Sequence, residues 1–296
     1  MAGSAVLAQW LSRGDRQPDL QPGRAAAVRS CFEFLGSSLP SAALTRTLDG
    51  SDAAQALWLR ADPCHVMVDA VAVRMLAIGT LGLSPQESDE FARALRPLFG
   101  DAGVPLEAPK PERWYLRCAP ETRLPRFADP EQVLGADLLH HMPSGDSERQ
   151  WRHLLNEAQI ILHNHPLNQL RVQSGLPAAN SIWFWGAGKL PSWVRTPFAH
   201  VMSNDPVVAG LARCAGIAAA AATSTSDIFH NDAKNTLLDL AHARGELADD
   251  WFVPLEAALK SAAFSELTLR LESGQVVTCK RWHRWRFWRR VRTDQT

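Results

Sequence analysis

Asn180-Ser181-Ile182-Trp183-Phe184-Trp185-Gly186-Ala187-Gly188 reads as a buried β-strand that runs into a glycine turn. The aromatic and β-branched run suits a strand covered on both faces, and the glycines punctuate its end. Working outward, Cys64–Val68, Val71–Met75 and Arg113–Cys118 read as further strands. Thr268–Leu271 and Val276–Lys280, around Ser273-Gly274, read as a hairpin. Helical patterns separate them. Ser84-Pro85-Gln86-Glu87 combines a cap, a proline at the first helical position and a capping-box glutamate, and Pro97 biases that helix's end. Ser147 caps a helix to about His163, with Trp151, Leu154, Leu155, Ala158, Ile161 and Leu162 on one face and Pro166 as its stop. Asp129-Pro130 starts a short helix that Gly135 ends, and Asp205-Pro206 opens one to about Ala215. Helices are also expected over 232–244 and 249–263. The fold class is therefore α/β or α+β: a mixed sheet flanked by helices, with a C-terminal β-hairpin. Residues 1–54 read as a helical segment packed on a body spanning 55–292.

The composition is that of a globular chain, with 46% hydrophobic and 21% charged residues among 296. No apolar run approaches the roughly 18 residues of a membrane span, and no basic-then-apolar leader is expected from the first residues. The five cysteines are scattered and form no CxxC, as expected of reduced thiols in the cytoplasm.

Two stretches are dense in polar groups. On the 147–163 helix, Asn156, Gln159 and His163 share a flank by three- and four-residue spacing. Asn168 and Arg171 follow, and then Asn180, Trp183, Gly186 and Gly188. These residues are the candidate lining of a pocket for a phosphorylated or otherwise anionic small molecule, with Arg171 holding the anion and Asn168 and Asn180 orienting it. The same groups also suit helix capping and satisfaction of the buried strand's neighbours. His163-Asn164-His165 and His140-His141 each lack the further ligands a zinc site needs. No metal or other cofactor is expected. Gly186-Ala187-Gly188 fails the dinucleotide fingerprint because Pro191 holds the third glycine position. Thr47–Asp52 reads as a surface turn.

The second stretch is the C-terminal segment. Lys280–Arg292 holds seven basic residues and no acid, so with a formal net charge of zero the rest of the chain sums to −7. Within it, Arg281, Trp282, Arg284, Trp285, Arg286, Trp288 and Arg289 interleave cations with rings. Trp282, Trp285 and Trp288 fall on one helical face, the pattern of rings packed on the body. The alternative is an interaction tail over 281–292 that meets a protein partner, with nucleic acid or a membrane ranked behind it.

His165–Arg171 and Asn180–Gly188, with Leu57–Pro63, Arg113–Arg117 and Leu155–Gln159, resemble bacterial proteins labelled phosphoglycerate mutase or RpfE-type regulatory protein. The first two runs also resemble a block of the archaeal-type cofactor-independent phosphoglycerate mutases. That resemblance implies a relation to the insertion domain of alkaline-phosphatase-like mutases. In that superfamily two divalent metals are held by Asp and His, and a Ser or Thr is the nucleophile. No apolar strand leading into Asp-Gly or Asp-Ser, and no Asp-His-Ser/Thr run after Gly188, is found here. The resemblance thus points to a non-catalytic regulatory or binding protein. An active mutase (an isomerase working by intramolecular phosphotransfer) and a protein acting through its cationic tail are the alternatives.

Overall fold

The computed structural model describes residues 2–68, 72–145, 148–225, 235–243 and 245–289. Ser147, Val71, Arg290, Arg292 and residues 232–234 and 244 of the expected 232–244 helix lie outside them. The chain divides into two compact units, 1–35 with 192–296, and 36–191. Sequence alone places a boundary at 54/55 instead.

The first unit opens with α1 (Ala2–Arg13), β1 (Asp15–Arg16), α2 (Arg24–Arg29) and β2 (Glu33–Phe34). The chain then enters the second unit with α3 (Ser41–Asp49), β3 (Leu57–Val68) and β4 (Val73–Ile78). It continues through α4 (Pro85–Asp101), β5 (Leu106–Lys110), β6 (Arg113–Cys118), α5 (Pro130–Val133), α6 (Arg149–His163), α7 (Pro166–Gln173) and β7 (Ser181–Gly188). All its strand pairs are antiparallel, and twelve-residue β3 joins β4, β6 and β7. Alternation along β3 divides the unit. Leu59 and Ala61 face a core completed by Phe91, Trp114, Trp151, Leu162 and Phe184. Trp58, Arg60 and Asp62 face α3.

Several expectations hold. β6 has the predicted limits, and β7 is buried over Ser181–Phe184. Ser84 Oγ accepts from Glu87 N at 3.2 Å while Glu87 Oε2 accepts from Ser84 N at 2.8 Å, the reciprocal capping box. The α6 apolar face is the predicted one. Others are corrected. α4 runs four residues past Pro97, because buried Phe99 fixes its last turn in the core. Pro166 stops α6 but also starts α7 as its first residue, with His165 Nδ1 accepting from Leu167 N. Thr47–Asp52 is no surface turn. Asp49 ends α3 with a fully buried side chain, bonded by Arg113 and by the Tyr115 hydroxyl at 2.6 Å.

The first unit resumes with β8 (Val194–Arg195), β9 (His200–Met202), α8 (Pro206–Cys214), β10 (Ala219–Ala220) and β11 (Thr236–Leu238). Thr236–Leu238 was expected to be helical, and its Thr-Leu-Leu run instead pairs with β9. A π-helical turn (Leu247–Phe252) leads into α9 (Val253–Ser261), and β12 (Glu266–Arg270) with β13 (Val276–Lys280) forms the predicted hairpin. A 3-10 turn, Arg281–Trp285, follows. Its core gathers Val6, Trp10, Met202, Trp251, Leu255 and Val277. The chain is thus a mixed α/β protein with sheets flanked by helices. No helix among the described residues is long and apolar enough to cross a membrane.

Candidate functional site

The expected pocket residues differ in exposure. Asn156 and His163 are exposed, Gln159 is half-buried, and Asn168 and Arg171 are buried. Arg171 bonds Pro177 O (2.9 Å), Glu87 Oε1 (2.8 Å) and Leu81 O (2.6 Å), so each guanidinium nitrogen already serves the fold. Asn168 clamps two segments: its Nδ2 donates to Leu162 O and Ala179 O, and its Oδ1 accepts from Ala179 N. Asn180 exchanges a pair of bonds with the backbone of Val66, as a paired strand residue would. Trp183 donates to Ala128 O. Gly188 and Gly186 admit α3: a methyl at Gly188 would overlap Pro40, and one at Gly186 would lie 2.8 Å from Ser41 Cβ. Asn168, Arg171, Asn180, Trp183, Gly186 and Gly188 thus all make close contacts within the fold.

Beneath α3 lies a buried polar cluster with the same character. Arg60 and Asp62 pair at 2.7 Å, and Asp62 also accepts from Trp185 Nε1 (2.7 Å) and Trp114 N (3.0 Å). Arg60 lies over the Tyr115 and Trp185 rings and Arg46 over Trp58 and Tyr115. Cations on ring faces are favourable where water is excluded. Arg46 Nη1 is the atom of this cluster left buried without a hydrogen bond among the described residues.

The more telling site is in the other unit. β10, β9 and β11 run parallel, with β9 in the middle. In open parallel sheets, ligands sit beyond the carboxyl ends of the strands where neighbouring connections diverge. Beyond β9 come Ser203, Asn204 and Asp205, and beyond β11 comes Asp239. Asn204 ties the three strand ends, donating to Ala222 O (3.0 Å) and His242 O (3.1 Å) and accepting from Ala222 N. Asp205 caps α8, accepting from Val207 N at 2.8 Å. Ser203 Oγ donates to Asp239 Oδ2 at 2.6 Å and accepts from Asp205 N at 2.9 Å.

Two carboxylates and a hydroxyl at strand ends are the raw material of a cation or acid–base site. Arg24, the first residue of α2, takes that place. Its Nη1 bonds Asp239 Oδ1 (2.9 Å), and its Nη2 bonds Asp239 Oδ2 (2.6 Å) and Asp205 Oδ2 (2.7 Å). Burial opposes charge on Arg24, but the two carboxylates outweigh it and raise its pKa further. Burial likewise pushes Asp239 up, while Arg24, Ser203 and the Ala241 N–H hold it below the ordinary carboxylate value. A carboxylate so stabilised is a poor base, so it orients the Ser203 hydroxyl without activating it. Sequence reading recognised Asp205 only as a helix start. Arg24 and Asp239 lie far apart in the chain with no motif around either. The one local signal was Ser203-Asn204-Asp205-Pro206, polar groups between a Val-Met pair and a helix.

The C-terminal segment reverses its expected packing. Trp282, Trp285, Phe287 and Trp288 are 58%, 61%, 77% and 67% exposed. Two of the guanidiniums bond the end of α1 and the residues after it instead. Arg286 Nη1 bonds Arg13 O (3.0 Å) and Asp15 Oδ1 (2.5 Å), and Arg289 Nη1 bonds Gly14 O (2.7 Å). The carbonyls that end α1 are unpaired by the helix itself and attract cations, which explains the inversion.

No protein-family model matches the chain. Part of it is 35% identical, over 96 residues, to a probable 2,3-bisphosphoglycerate-independent phosphoglycerate mutase of Geobacter sulfurreducens, covering 30% of this chain and 23% of that protein. A 2,3-bisphosphoglycerate-independent phosphoglycerate mutase of Methanothrix thermoacetophila is 35% identical over 92 residues, covering 29% and 24%. The matched stretch thus spans less than a quarter of these relatives' length. Among solved structures, a cofactor-independent phosphoglycerate mutase from Thermoplasma acidophilum aligns over 92% of this chain and 81% of its own, at 14% identity and a TM-score of 0.36. The chain is partly similar in sequence to phosphoglycerate mutase-like proteins.

Proposed function

We propose that this protein is a non-catalytic regulatory or binding member of the phosphoglycerate mutase-like group, of the RpfE type. One observation carries the reading: the Arg24 guanidinium sits between Asp205 and Asp239 at the carboxyl ends of the parallel strands. Phosphoryl transfer in the two-metal manner needs free carboxylates around divalent cations. Here the carboxylates are bound to a cation belonging to the chain. The similarity to the mutases supplies the relationship, and the Arg24 clamp accounts for a change of role.

The test is turnover. Purified protein is assayed for interconversion of 3- and 2-phosphoglycerate with and without added manganese or zinc, with metal content measured alongside. The expected outcome is no turnover at any metal concentration. Metal-dependent turnover would overturn the reading and establish the second one, an active mutase, which the names of the relatives favour.

A further inference from the structure

A small pocket lies at the foot of the C-terminal turn, between α1, α9 and the end of β13. Its lining includes Arg13, Lys260, Lys280, Arg281, His283 and Arg284, against one acid, Glu256, which pairs with Lys260 at 3.0 Å. Among the described residues, three buried nitrogens of its lining lack a hydrogen bond: Arg13 Nε, Arg284 Nε and His283 Nε2, the last 3.3 Å from Asp15 Oδ2. A buried guanidinium N–H left unmatched costs free energy, and an anionic oxygen in the pocket would relieve it. The same turn carries the exposed rings of Trp282 and Trp285, with Phe287 and Trp288 just beyond. Such a concentration of exposed large rings beside an anion-suited pocket marks a binding surface.

We propose that this turn docks the protein on an anionic phospholipid surface. The pocket takes a headgroup phosphate, and the rings enter the boundary between headgroups and acyl chains. Three features favour lipid over other polyanions. First, one face of two of the rings already carries a cation: Lys280 Nζ lies 5.4 Å from the Trp282 ring centre and the Arg284 guanidinium 4.8 Å from that of Trp285. Phe287 and Trp288 meet edge to face at 5.4 Å. Single-strand binding relies on open faces, whereas an interface takes ring edges and meets the cations with phosphates. Second, four rings at this exposure offer roughly 500 Å² from side chains of about 150–250 Å² each. That is below the roughly 800 Å² per partner of a stable protein complex, while a lipid surface gains from each ring independently. Third, Arg286 and Arg289 hold the segment on the end of α1, so the rings are presented with little ordering left to do.

The experiment is co-sedimentation of the full chain with vesicles of phosphatidylcholine alone or with about 30% phosphatidylserine, a composition that gives a strong negative surface potential. Binding is expected to the anionic vesicles only, weakening about tenfold or more between low and physiological salt. Trp282→Ser, Trp285→Ser and Trp288→Ser combined should lower vesicle affinity at least tenfold with an unchanged melting temperature, since these rings are mostly exposed. Arg281→Gln with Arg284→Gln should abolish the preference for anionic vesicles. Several results would overturn the proposal: no sedimentation with anionic vesicles, equal binding of wild type and the triple variant, or retention by a single-stranded oligonucleotide or an acidic polypeptide without vesicle binding. Stabilisation by millimolar inorganic phosphate without vesicle binding would reduce the site to a free-anion pocket and also overturn it. None of these outcomes depends on the phosphoglycerate assay.

Discussion

Arg24 and Asp239 stand 215 residues apart in the chain and meet through two hydrogen bonds, at 2.9 and 2.6 Å. Both side chains are largely buried. Removing the cation from such a pair strands a carboxylate in a poorly hydrated place. Arg24→Ala is expected to lower unfolding free energy by about 3–5 kcal/mol. Arg24→Lys should cost less but not nothing, because a lysine cannot bridge Asp239 and Asp205 as a planar fork does. Urea denaturation of the three proteins measures both.

The same pair predicts a pH dependence. The Asp239 pKa is lowered in the folded protein, and that of Asp49 is lowered by Arg113 and Tyr115 against burial. A group depressed in this way contributes its stability above the unfolded-state value, which is 3.8 for these carboxyls. That contribution is lost as pH falls through the folded-state value. Unfolding free energy should therefore be flat near neutrality and drop steeply in acid. Asp239→Asn should start lower and fall less steeply. Parallel curves for the two proteins would contradict the assignment.

Arg171 is expected to behave as a brace. Its three bonds reach a loop, a helix and a turn of one unit. Arg171→Ala should cost about 3–5 kcal/mol with no ligand present. If instead Arg171→Ala keeps its stability and loses only stabilisation by phosphorylated metabolites, the anion-holding role read from sequence is the correct one.

Gly188→Ala tests the close approach of α3. The added methyl has no room beside Pro40, and overpacking of this kind costs about 1–3 kcal/mol. Gly216→Ala is a useful contrast. It has a positive φ but open space around it, so it reports backbone strain alone.

The thiols give a chemical check. Burial raises all five, Cys118 and Cys279 to about 12. Thiolate is the reactive form. Native protein should react slowly with a disulfide reagent at neutral pH, and denatured protein should release five equivalents, since the cysteines are unpaired.

What sequence made legible follows from range. The Ser84 capping box, the α6 face and the β12–β13 hairpin rest on contacts a few residues apart, and each was readable. Asn168, Arg171, Asn180 and Gly188 were also found, because unusual residue types stand out. Their contacts within the fold were not legible, since these depend on partners such as Leu81 O, Val66 and Pro40 that no local pattern names. The parallel strands β9 to β11 are two or three residues long and carry no periodicity, so only the Ser203-Asn204-Asp205-Pro206 run hinted at the site at their ends. The outward rings were misjudged for a related reason. Three-residue spacing identifies a shared face but not which way it points, and the α1 carbonyls that decide it lie more than 260 residues upstream.

The discontinuity of the first unit has a consequence for synthesis on the ribosome. β1 pairs with β13, Asp15 opposite Thr278. At about 5–20 residues per second, the early half of that pairing waits tens of seconds for the late half to emerge. Residues 36–191 form a continuous unit and can fold in the interval. Val6 and Trp10, destined for the core of the first unit, meanwhile have no partner. Nascent chains stalled before residue 276 should therefore recruit chaperones through their first few turns of helix, while the middle of the same chain already resists proteases.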